Sequence, residues 1–350
     1  MLGGTAGVKT SGAGYITPKK NYGQNFLKRV PRKFFKVLDD LHANTPAGQG
    51  SDYLLVFEVG PGTGMITSRL LQRLEQLLDA GKIRGFSVVL IELDKDLVAL
   101  LQDKFAGYIQ AGQVQIVNAD AARFDYAQAV QDLTSQLSKV RGVTILTMGA
   151  LPYNVSKRII AKILTDAAGV LQLWQNKAGD ISWHSTFITQ HEVAKAYAAE
   201  KGEFLGLFLR LYAQKVRILQ VLKPDWFWPK PKVHSAIFAF EHRNFADLDA
   251  DVLNTLGKCI KYLFAHPRKT LRQTIKLQQK AFKDCVTKLT SMLGIKAGQT
   301  AAQNTLQQNQ LELTNRLRDI CQNFDTQEVL SKRAQDLSLE QAVCLCVSQA

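Results

Sequence analysis

The sequence lacks any apolar run long enough to span a membrane. It is 46% hydrophobic over 350 residues, but a membrane-spanning helix needs about 18 or more consecutive apolar residues. Apolar stretches such as 53–60 and 86–93 are interrupted by Glu58 and Glu92. A membrane protein is therefore not predicted, and this length and apolar content predict one large α/β domain with a smaller second domain.

Cysteine is scarce and confined to the last hundred residues. The chain has five cysteines, an odd number, with no C-x-x-C spacing. They are Cys259, Cys285, Cys321, Cys344 and Cys346. We therefore expect reduced thiols in an intracellular reducing compartment. Cys344 and Cys346 lack His or Cys partners at metal-ligand spacing, so no metal site is predicted.

Acidic residues are absent from residues 1–38, which carry eight lysines and arginines. These cations are Lys9, Lys19, Lys20, Lys28, Arg29, Arg32, Lys33 and Lys36. A basic N-terminus without acids is typical of mitochondrial import segments. Residues 1–16, however, are rich in Gly, Thr and Ser, which fits a flexible tail equally well. We predict a flexible or targeting tail over residues 1–18 and a mitochondrial location, or else another reducing intracellular compartment.

Acidic residues are fewer than basic residues in the chain as a whole. The 44 Lys and Arg residues against 30 Asp and Glu residues give a formal net charge of +14. Such a field favours a polyanionic partner, and we expect nucleic acid bound by a monomer. A basic organellar protein that binds no nucleic acid would carry the same charge, so charge alone leaves that alternative open.

Short β-branched runs alternate with helical periods from about 53 to 243, which predicts a doubly wound α/β sheet of about seven strands. The strand candidates are 54–59, 86–92, 114–118, 143–148, 184–190, 215–222 and 234–240. A helix is predicted over 65–79. We predict a sheet domain over 19–243 and an all-helical domain over 244–350, with a polar loop or insertion near 296–310.

The first predicted strand ends in a glycine-rich turn. Glu58 is followed by Gly60, Gly62 and Gly64, and a helix begins directly afterwards. Dinucleotide-binding turns space their glycines as G-x-G-x-x-G, whereas these glycines run G-x-G-x-G. The turn therefore favours S-adenosylmethionine over NAD as the cofactor, and we predict that Glu58 and the three glycines bind it.

Two further acids follow the next two predicted strands. Glu92 can accept hydrogen bonds from both ribose hydroxyls, a role that suits NAD equally well. Asp120 can accept a hydrogen bond from an adenine amino group, or it can be a helix N-cap. Because the strands are parallel, both carboxylates should lie at the same edge of the sheet as the glycine turn.

The order of the motifs resembles that of the ribosomal RNA adenine N6,N6-dimethyltransferase family, whose mitochondrial branch includes transcription factor B. The matching segments are Gly23–Leu27, Glu58–Gly64, Phe227–Ala236, Lys269–Arg272 and Arg333–Ser338. This resemblance implies a Rossmann-like S-adenosylmethionine-dependent methyltransferase fold with a C-terminal helical domain. It also implies that Gln24, Asn25 and Leu27 close over the cofactor.

The fourth predicted strand ends in Gly149-Ala150-Leu151-Pro152-Tyr153-Asn154, where the family pattern is G-N-L-P-Y-N. The resemblance implies that an Asn side-chain oxygen and the Pro152 carbonyl hold the amine of the target adenine, between the aromatic rings of Tyr153 and Phe227. Both rings can equally be core residues. Ala150 cannot accept a hydrogen bond, and losing one such partner costs about 10²- to 10³-fold in rate.

Candidate RNA contacts are the cations near two of the family motifs. They are Lys230, Lys232, Arg268, Lys269 and Arg272. Such clusters neutralise phosphates, although a solvated basic face has the same composition. The resemblance implies that the partner is small-subunit rRNA in an assembling ribosomal subunit, and that the targets are two adjacent adenines in a hairpin near its 3′ end. Three hypotheses remain: an active dimethyltransferase, a catalytically silent assembly factor, and a mitochondrial transcription factor B.

Overall fold

The computed structural model describes residues 8–9, 15–43, 53–137, 142–174, 180–243, 250–292, 321 and 324–348. The chain folds into two compact units. The first comprises the described parts of Met1–Asp166, Lys177–Ala194 and Lys215–His242, and the second comprises those of Ala167–Asn176, Lys195–Gln214 and Arg243–Ala350. The second unit thus includes the C-terminal region and also two segments from within the range 19–243.

The helices and strands are as follows. The strands are β1 (Val8–Lys9), β2 (Tyr15–Ile16), β3 (Phe26–Leu27), β4 (Tyr53–Val59), β5 (Gly85–Glu92), β6 (Val114–Asn118), β7 (Gly142–Ala150), β8 (Asp180–Gln190), β9 (Ala213–Leu222), β10 (Phe227–Trp228) and β11 (Ser235–His242). The helices are α1 (Lys36–Ala43), α2 (Met65–Asp79), α3 (Lys95–Lys104), α4 (Ala106–Gln110), α5 (Tyr126–Ser135), α6 (Ser156–Trp174), α7 (His191–Ala198), α8 (Phe204–Tyr212), α9 (Ala250–Leu263), α10 (Leu271–Leu277), α11 (Gln279–Met292), Thr326–Ser331 and Leu339–Ser348.

The main sheet has seven strands in the order β6-β5-β4-β7-β8-β11-β9. Neighbouring strands from β6 to β8 are parallel, and β11 is antiparallel to β8. All seven predicted strands are present, although β8 begins at Asp180 rather than 184. The predicted α/β fold is therefore confirmed, as is the helix over 65–79, which is α2.

Burial on both faces explains why the central strands have continuous apolar sequences. Residues 54–59 of β4 are at most 1% exposed, as expected for a parallel strand covered by helices on both sides. Helix α2 buries Leu70, Leu71 and Leu74 against this sheet's apolar core. The core fixes the strand register, since a slip by one residue would turn each side chain to the opposite face.

The register brings the ends of four strands to one edge of the sheet. Val59 at the end of β4 is opposite Ile91, and Glu92 at the end of β5 is opposite Asn118. Ala150 at the end of β7 is opposite Ile188. The glycine turn, the two acids and the altered target motif therefore all follow strands that end on this edge.

The described elements after Arg243 are helices, as predicted for the C-terminal region. Helix α8 has the sequence FLGLFLRLY and buries the side chains of Leu207, Leu209, Leu211 and Tyr212. The Tyr212 hydroxyl at its end donates to Asn254 Oδ1 on α9 at 2.8 Å. This apolar composition explains why α8 packs with the C-terminal helices rather than with the predicted sheet domain. The polar segment 296–310 lies outside the described residues.

One cysteine prediction is wrong. Cys321 and Cys344 form a disulfide, with Cα atoms 5.4 Å apart, whereas Cys259, Cys285 and Cys346 are free thiols. The two bonded residues are 23 positions apart. No spacing rule pairs them, because only the packing of helix Leu339–Ser348 brings Cys344 to Cys321.

Two shorter findings complete the fold. Within the predicted tail, β1 and β2 pair as a two-stranded antiparallel sheet, and the other residues before Tyr15 lie outside the described part of the chain. No helix among the described residues has both the length and the apolar character that crossing a membrane requires.

Candidate active site

A cavity lies at the carboxyl edge of the sheet in the first unit. Its wall is formed mainly by residues 21–27, 59–63, 91–93, 119–121 and 150–155, together with Phe227. Most of the predicted cofactor and target residues therefore face one space. The exceptions are Glu58 and Gly64, which the structure places outside the cavity wall.

The glycine turn has a backbone conformation that favours glycine. Gly60, Gly62 and Gly64 have φ angles of 64°, 58° and 71°, in the left-handed region that other residues rarely adopt. The Gly60 amide donates to the Ile91 carbonyl at 3.0 Å, which fixes the turn to β5. A Cβ on Gly62 would lie 3.1 Å from the Phe26 ring. The turn thus exposes its backbone to the cavity with Phe26 beside it.

Glu92 is the acid best placed to bind a ribose. It is 7% exposed and lines the cavity. One carboxylate oxygen accepts from the Gly62 amide at 3.1 Å, and the other accepts from the Asp94 amide at 3.0 Å. Burial raises the pKa of Glu92, and these amides oppose the rise. Each oxygen still has a lone pair for a hydroxyl of the cofactor.

Glu58 is fully buried behind the turn. Neither of its carboxylate oxygens makes a hydrogen bond of standard geometry within the described residues. Burial raises the pKa of Glu58 to about 8, and the hydroxyl and amide of Thr67 oppose this rise only in part. At neutral pH the side chain is therefore mostly protonated, and it does not line the cavity.

Asp120 follows β6 and lines the cavity. One of its carboxylate oxygens accepts from the Ala122 amide at 2.9 Å, and the other lies 3.7 Å from Arg123 Nε. This is a turn-capping role, and no helix begins at this position. Because the carboxylate is only partly used and partly exposed, it can still accept a hydrogen bond from a ligand in the cavity.

The N-terminal segment is attached to the cavity by residues that the sequence analysis missed. Lys19 Nζ bridges Asp94 Oδ1 at 2.5 Å and Asp96 Oδ2 at 2.6 Å. The Gln24 amide donates to the other oxygen of Asp94 at 2.8 Å, and its carbonyl accepts from the Lys19 amide at 2.7 Å. Gln24 therefore fastens the segment, and it lines the cavity together with Asn25 and Leu27. In the sequence, the acidic residue Asp94, two positions after Glu92, was the only indication of this attachment.

A second attachment joins this segment to the target side of the cavity. Strand β3 pairs with β10, so that Leu27 is opposite Phe227 and Phe26 is opposite Trp228. The rings of Phe26 and Trp228 stack with centroids 6.5 Å apart. The Arg29 guanidinium lies 3.9 Å from the centre of the Trp226 ring. The segment thus contacts both ends of the cavity.

The target motif has a fixed backbone. A Cβ on Gly149 would lie 2.1 Å from the Val59 carbonyl oxygen, so only glycine allows β7 to approach β4 this closely. The Leu151 amide donates to the Ile188 carbonyl at 2.9 Å. The Tyr153 hydroxyl is 2.5 Å from Ser235 Oγ, which sets the position of its ring. Phe227 is only 2% exposed and belongs both to the core and to the cavity wall.

The Pro152 carbonyl, which was predicted to hold the target amine, already accepts hydrogen bonds within the protein. This oxygen accepts hydrogen bonds from the amides of Val155 at 3.2 Å and Ser156 at 3.0 Å, because it caps the first turn of α6. The preceding carbonyl, that of Leu151, accepts no hydrogen bond within the described residues. Leu151 is thus the residue of this motif whose backbone can accept from a target amine.

The predicted RNA-contacting cations are divided between the two units. In the first unit Lys232 is exposed, whereas Lys230 forms an ion pair of 2.6 Å with Asp225. In the second unit Arg268, Lys269 and Arg272 are all exposed. The structure adds an exposed cation that sequence reasoning missed, Arg333. Thr270 bridges to Arg333 in antiparallel fashion, and the Leu271 amide donates to the Lys332 carbonyl at 2.8 Å, so two distant motifs meet.

These features define a class of protein. A glycine turn after the first strand of a seven-stranded sheet, with a buried acid at the end of the second strand, characterises S-adenosylmethionine-dependent methyltransferases. The residues fit that cofactor, because Glu92 retains free lone pairs and the turn presents bare backbone beside it. No group of three or more His, Cys, Asp or Glu in the described part of the chain is arranged to hold a metal ion.

Comparisons with known proteins specify the family. The sequence model described as "Ribosomal RNA adenine dimethylase" matches residues 16–318. The chain is 31% identical over 264 residues to the "Ribosomal RNA small subunit methyltransferase A" of Anaeromyxobacter sp. (strain K), covering 74% of this chain and 80% of that protein. It is 33% identical over 263 residues to the protein of the same name from Hahella chejuensis, with the same coverage. The chain belongs to the ribosomal RNA adenine dimethylase family, and its methyl donor is S-adenosylmethionine.

A solved structure shows the same fold. The dimethyladenosine transferase from Plasmodium falciparum superposes with a TM-score of 0.55 at 16% identity, covering 91% of this chain and 96% of that one. The similarity confirms a Rossmann-like methyltransferase fold with an accompanying helical region.

Proposed function

We propose that the protein transfers methyl groups from S-adenosylmethionine to the N6 atoms of adenines in small-subunit ribosomal RNA. The observation that carries this proposal is the shared cavity, whose wall extends from the glycine turn and Glu92 to Leu151, Tyr153 and Phe227. The names of the bacterial relatives support small-subunit rRNA as the substrate class.

The residues of the cavity divide between the two substrates. Glu92 accepts hydrogen bonds from the ribose hydroxyls of the cofactor, and Asp120 accepts a hydrogen bond from the amino group of the cofactor's adenine. When bound, the cofactor supplies an electrophilic methyl group on a sulfonium. At the other end, Tyr153 and Phe227 contact a flipped adenine with their rings, a contact worth about 1–3 kcal/mol per base. The Leu151 carbonyl accepts from the exocyclic amine and orients its lone pair.

Ala150 makes transfer slow in this proposal. A second acceptor for the amine is missing, and removing one preorganised partner costs about 10²- to 10³-fold in rate. The same residue supports a second candidate function. A protein that binds cofactor and adenine but scarcely transfers the methyl group acts as an assembly factor that occupies the immature small subunit.

Methyl transfer to ribosomal particles separates these candidates. Small subunits lacking dimethyladenosine are incubated with the protein and labelled cofactor, and nucleosides are identified by mass spectrometry after digestion of the RNA. Dimethyladenosine formed over hours supports the enzyme. Stable binding of protein and cofactor to the particles without modified adenine supports the assembly factor, and failure to bind the cofactor at millimolar concentration contradicts both.

The RNA-contacting cations and the cellular location of the protein belong to the same proposal. Contact with phosphates by Lys232, Arg268, Lys269 and Arg272 predicts that RNA affinity falls steeply with salt, and that replacing one of these cations reduces the slope by about 1. We propose a mitochondrial location on the basis of the acid-free N-terminus. Import of the radiolabelled protein into isolated mitochondria tests it, and exclusion from a protease-protected fraction would contradict it.

A further inference from the structure

The second unit holds a pair of free thiols that the proposed function does not use. Cys259 on α9 is fully buried, and Cys285 on α11 is half-buried. Their sulfur atoms are 2.8 Å apart. A disulfide joins sulfurs at about 2.05 Å, so the two atoms need to approach by less than about 1 Å to bond. The described residues offer no metal-binding group that explains this proximity.

We propose that Cys259 and Cys285 are a site of reversible oxidation, at which a disulfide joins α9 to α11. The two residues are 26 positions apart in sequence. The segment between them contains Arg268, Lys269 and Arg272. The bond would therefore close a loop that contains this basic segment. An effect of the bond on RNA binding rests on the proposed function, whereas formation of the bond does not.

The chemistry is a thiol–disulfide exchange in two steps with a small-molecule disulfide, oxidised glutathione. Cys285, the more accessible thiol, loses its proton and attacks one glutathione sulfur, which forms a mixed disulfide and releases one glutathione thiolate. Cys259 then attacks Cys285 Sγ and displaces the second glutathione. Two protein thiols are oxidised, one glutathione disulfide is reduced to two thiols, and the electrons balance.

The packing around the pair favours the second step. Cys285 Sγ lies 3.4 Å from the Thr255 carbonyl oxygen, which places this sulfur against α9. A third thiol, Cys346, is fully buried, so it is less accessible to a solution disulfide than Cys285. The Cys259 thiol and partial burial raise the pKa of Cys285. The exchange should therefore be run for hours at about pH 9, where more thiolate forms.

Peptide mapping of the full-length protein tests the proposal. After treatment with oxidised glutathione, free thiols are blocked and the protein is digested with trypsin without reduction. The expected product is Cys259–Lys261 (CIK) linked to Asp284–Lys288 (DCVTK), together with loss of both thiols from the alkylated fraction. Absence of this linked peptide, or a link from Cys259 to Cys346 instead, would overturn the proposal.

Thermal unfolding supplies a second measurement. Oxidation should raise the Tm of the wild-type protein by about 5 °C, because a closed loop restricts the unfolded chain. Cys285→Ser should abolish the rise, and Cys346→Ser is the matched control that should keep it. An equal rise in the Cys285→Ser variant would show that another bond causes the effect.

Discussion

Ala150→Asn should convert a slow methyltransferase into a fast one. The Ala150 backbone is held in register with Ile188 at the end of β7, and the residue lines the cavity beside Leu151. An Asn side chain introduced there starts from a fixed Cα and projects from the cavity wall. Its oxygen would supply the second acceptor for the exocyclic amine of adenine.

The magnitude follows from one preorganised hydrogen bond. Such a partner contributes about 3–4 kcal/mol to the transition state, so kcat should rise by about 10²- to 10³-fold. The dissociation constant for S-adenosylmethionine should change little, because Glu92 and the glycine turn are untouched. The assay is single-turnover transfer of a labelled methyl group to small-subunit particles, with nucleosides identified by mass spectrometry.

A variant of similar size without an acceptor is the control. Ala150→Leu fills the same space and should not increase the rate. The reasoning is refuted if the Asn variant binds cofactor and particles like the wild type but transfers within about threefold of its rate. A gain in the Leu variant would show that side-chain volume, rather than the acceptor, limits transfer.

Three further variants test the cofactor end of the cavity. Glu92→Ala should weaken S-adenosylmethionine binding more than tenfold in calorimetry, by about 1.4 kcal/mol or more, and a smaller loss would place the ribose elsewhere. Glu58 has its pKa raised from 4.5 to about 8, so the folded chain keeps a proton that the unfolded chain has lost and stability falls as pH rises through this range. Glu58→Gln should remove up to about 5 kcal/mol of that fall in urea unfolding without cofactor, and parallel pH profiles of the two proteins would contradict it. Lys19→Met should accelerate cofactor release in stopped flow, because it breaks the ion pair with Asp94. The control Lys36→Met breaks a surface ion pair with Asp40 and should leave the release rate unchanged. Equal release rates in the two variants would contradict this role of Lys19.

The sequence predicts the sheet and its ligand-binding edge well. Buried parallel strands such as β4 are continuous apolar runs, and their carboxyl ends must meet at one edge. For this reason the glycine turn, Glu92, Asp120 and Ala150 could be assigned to one site before any coordinates.

Details that depend on tertiary placement could not be predicted. The ion pair between Lys19 and Asp94 joins residues 75 positions apart, and no sequence pattern predicts that these two residues meet. The Pro152 carbonyl is occupied because α6 begins directly after it, and helix starts are uncertain from sequence. Glu58 is the penultimate residue of β4 and is fully buried, so it is enclosed by the core instead of reaching the cavity, and its sequence position next to the glycine turn does not reveal this.

Phe26 lines the cavity, with its ring beside Gly62 on one side and stacked on the other side on Trp228, the neighbour of the cavity residue Phe227. If one ligand fixes this ring when it binds, the second ligand no longer has to supply the free energy for fixing it. Coupling of this kind is reciprocal. Cofactor and adenine should consequently bind with positive heterotropic cooperativity, so that the protein holds each of them longer when the other is present.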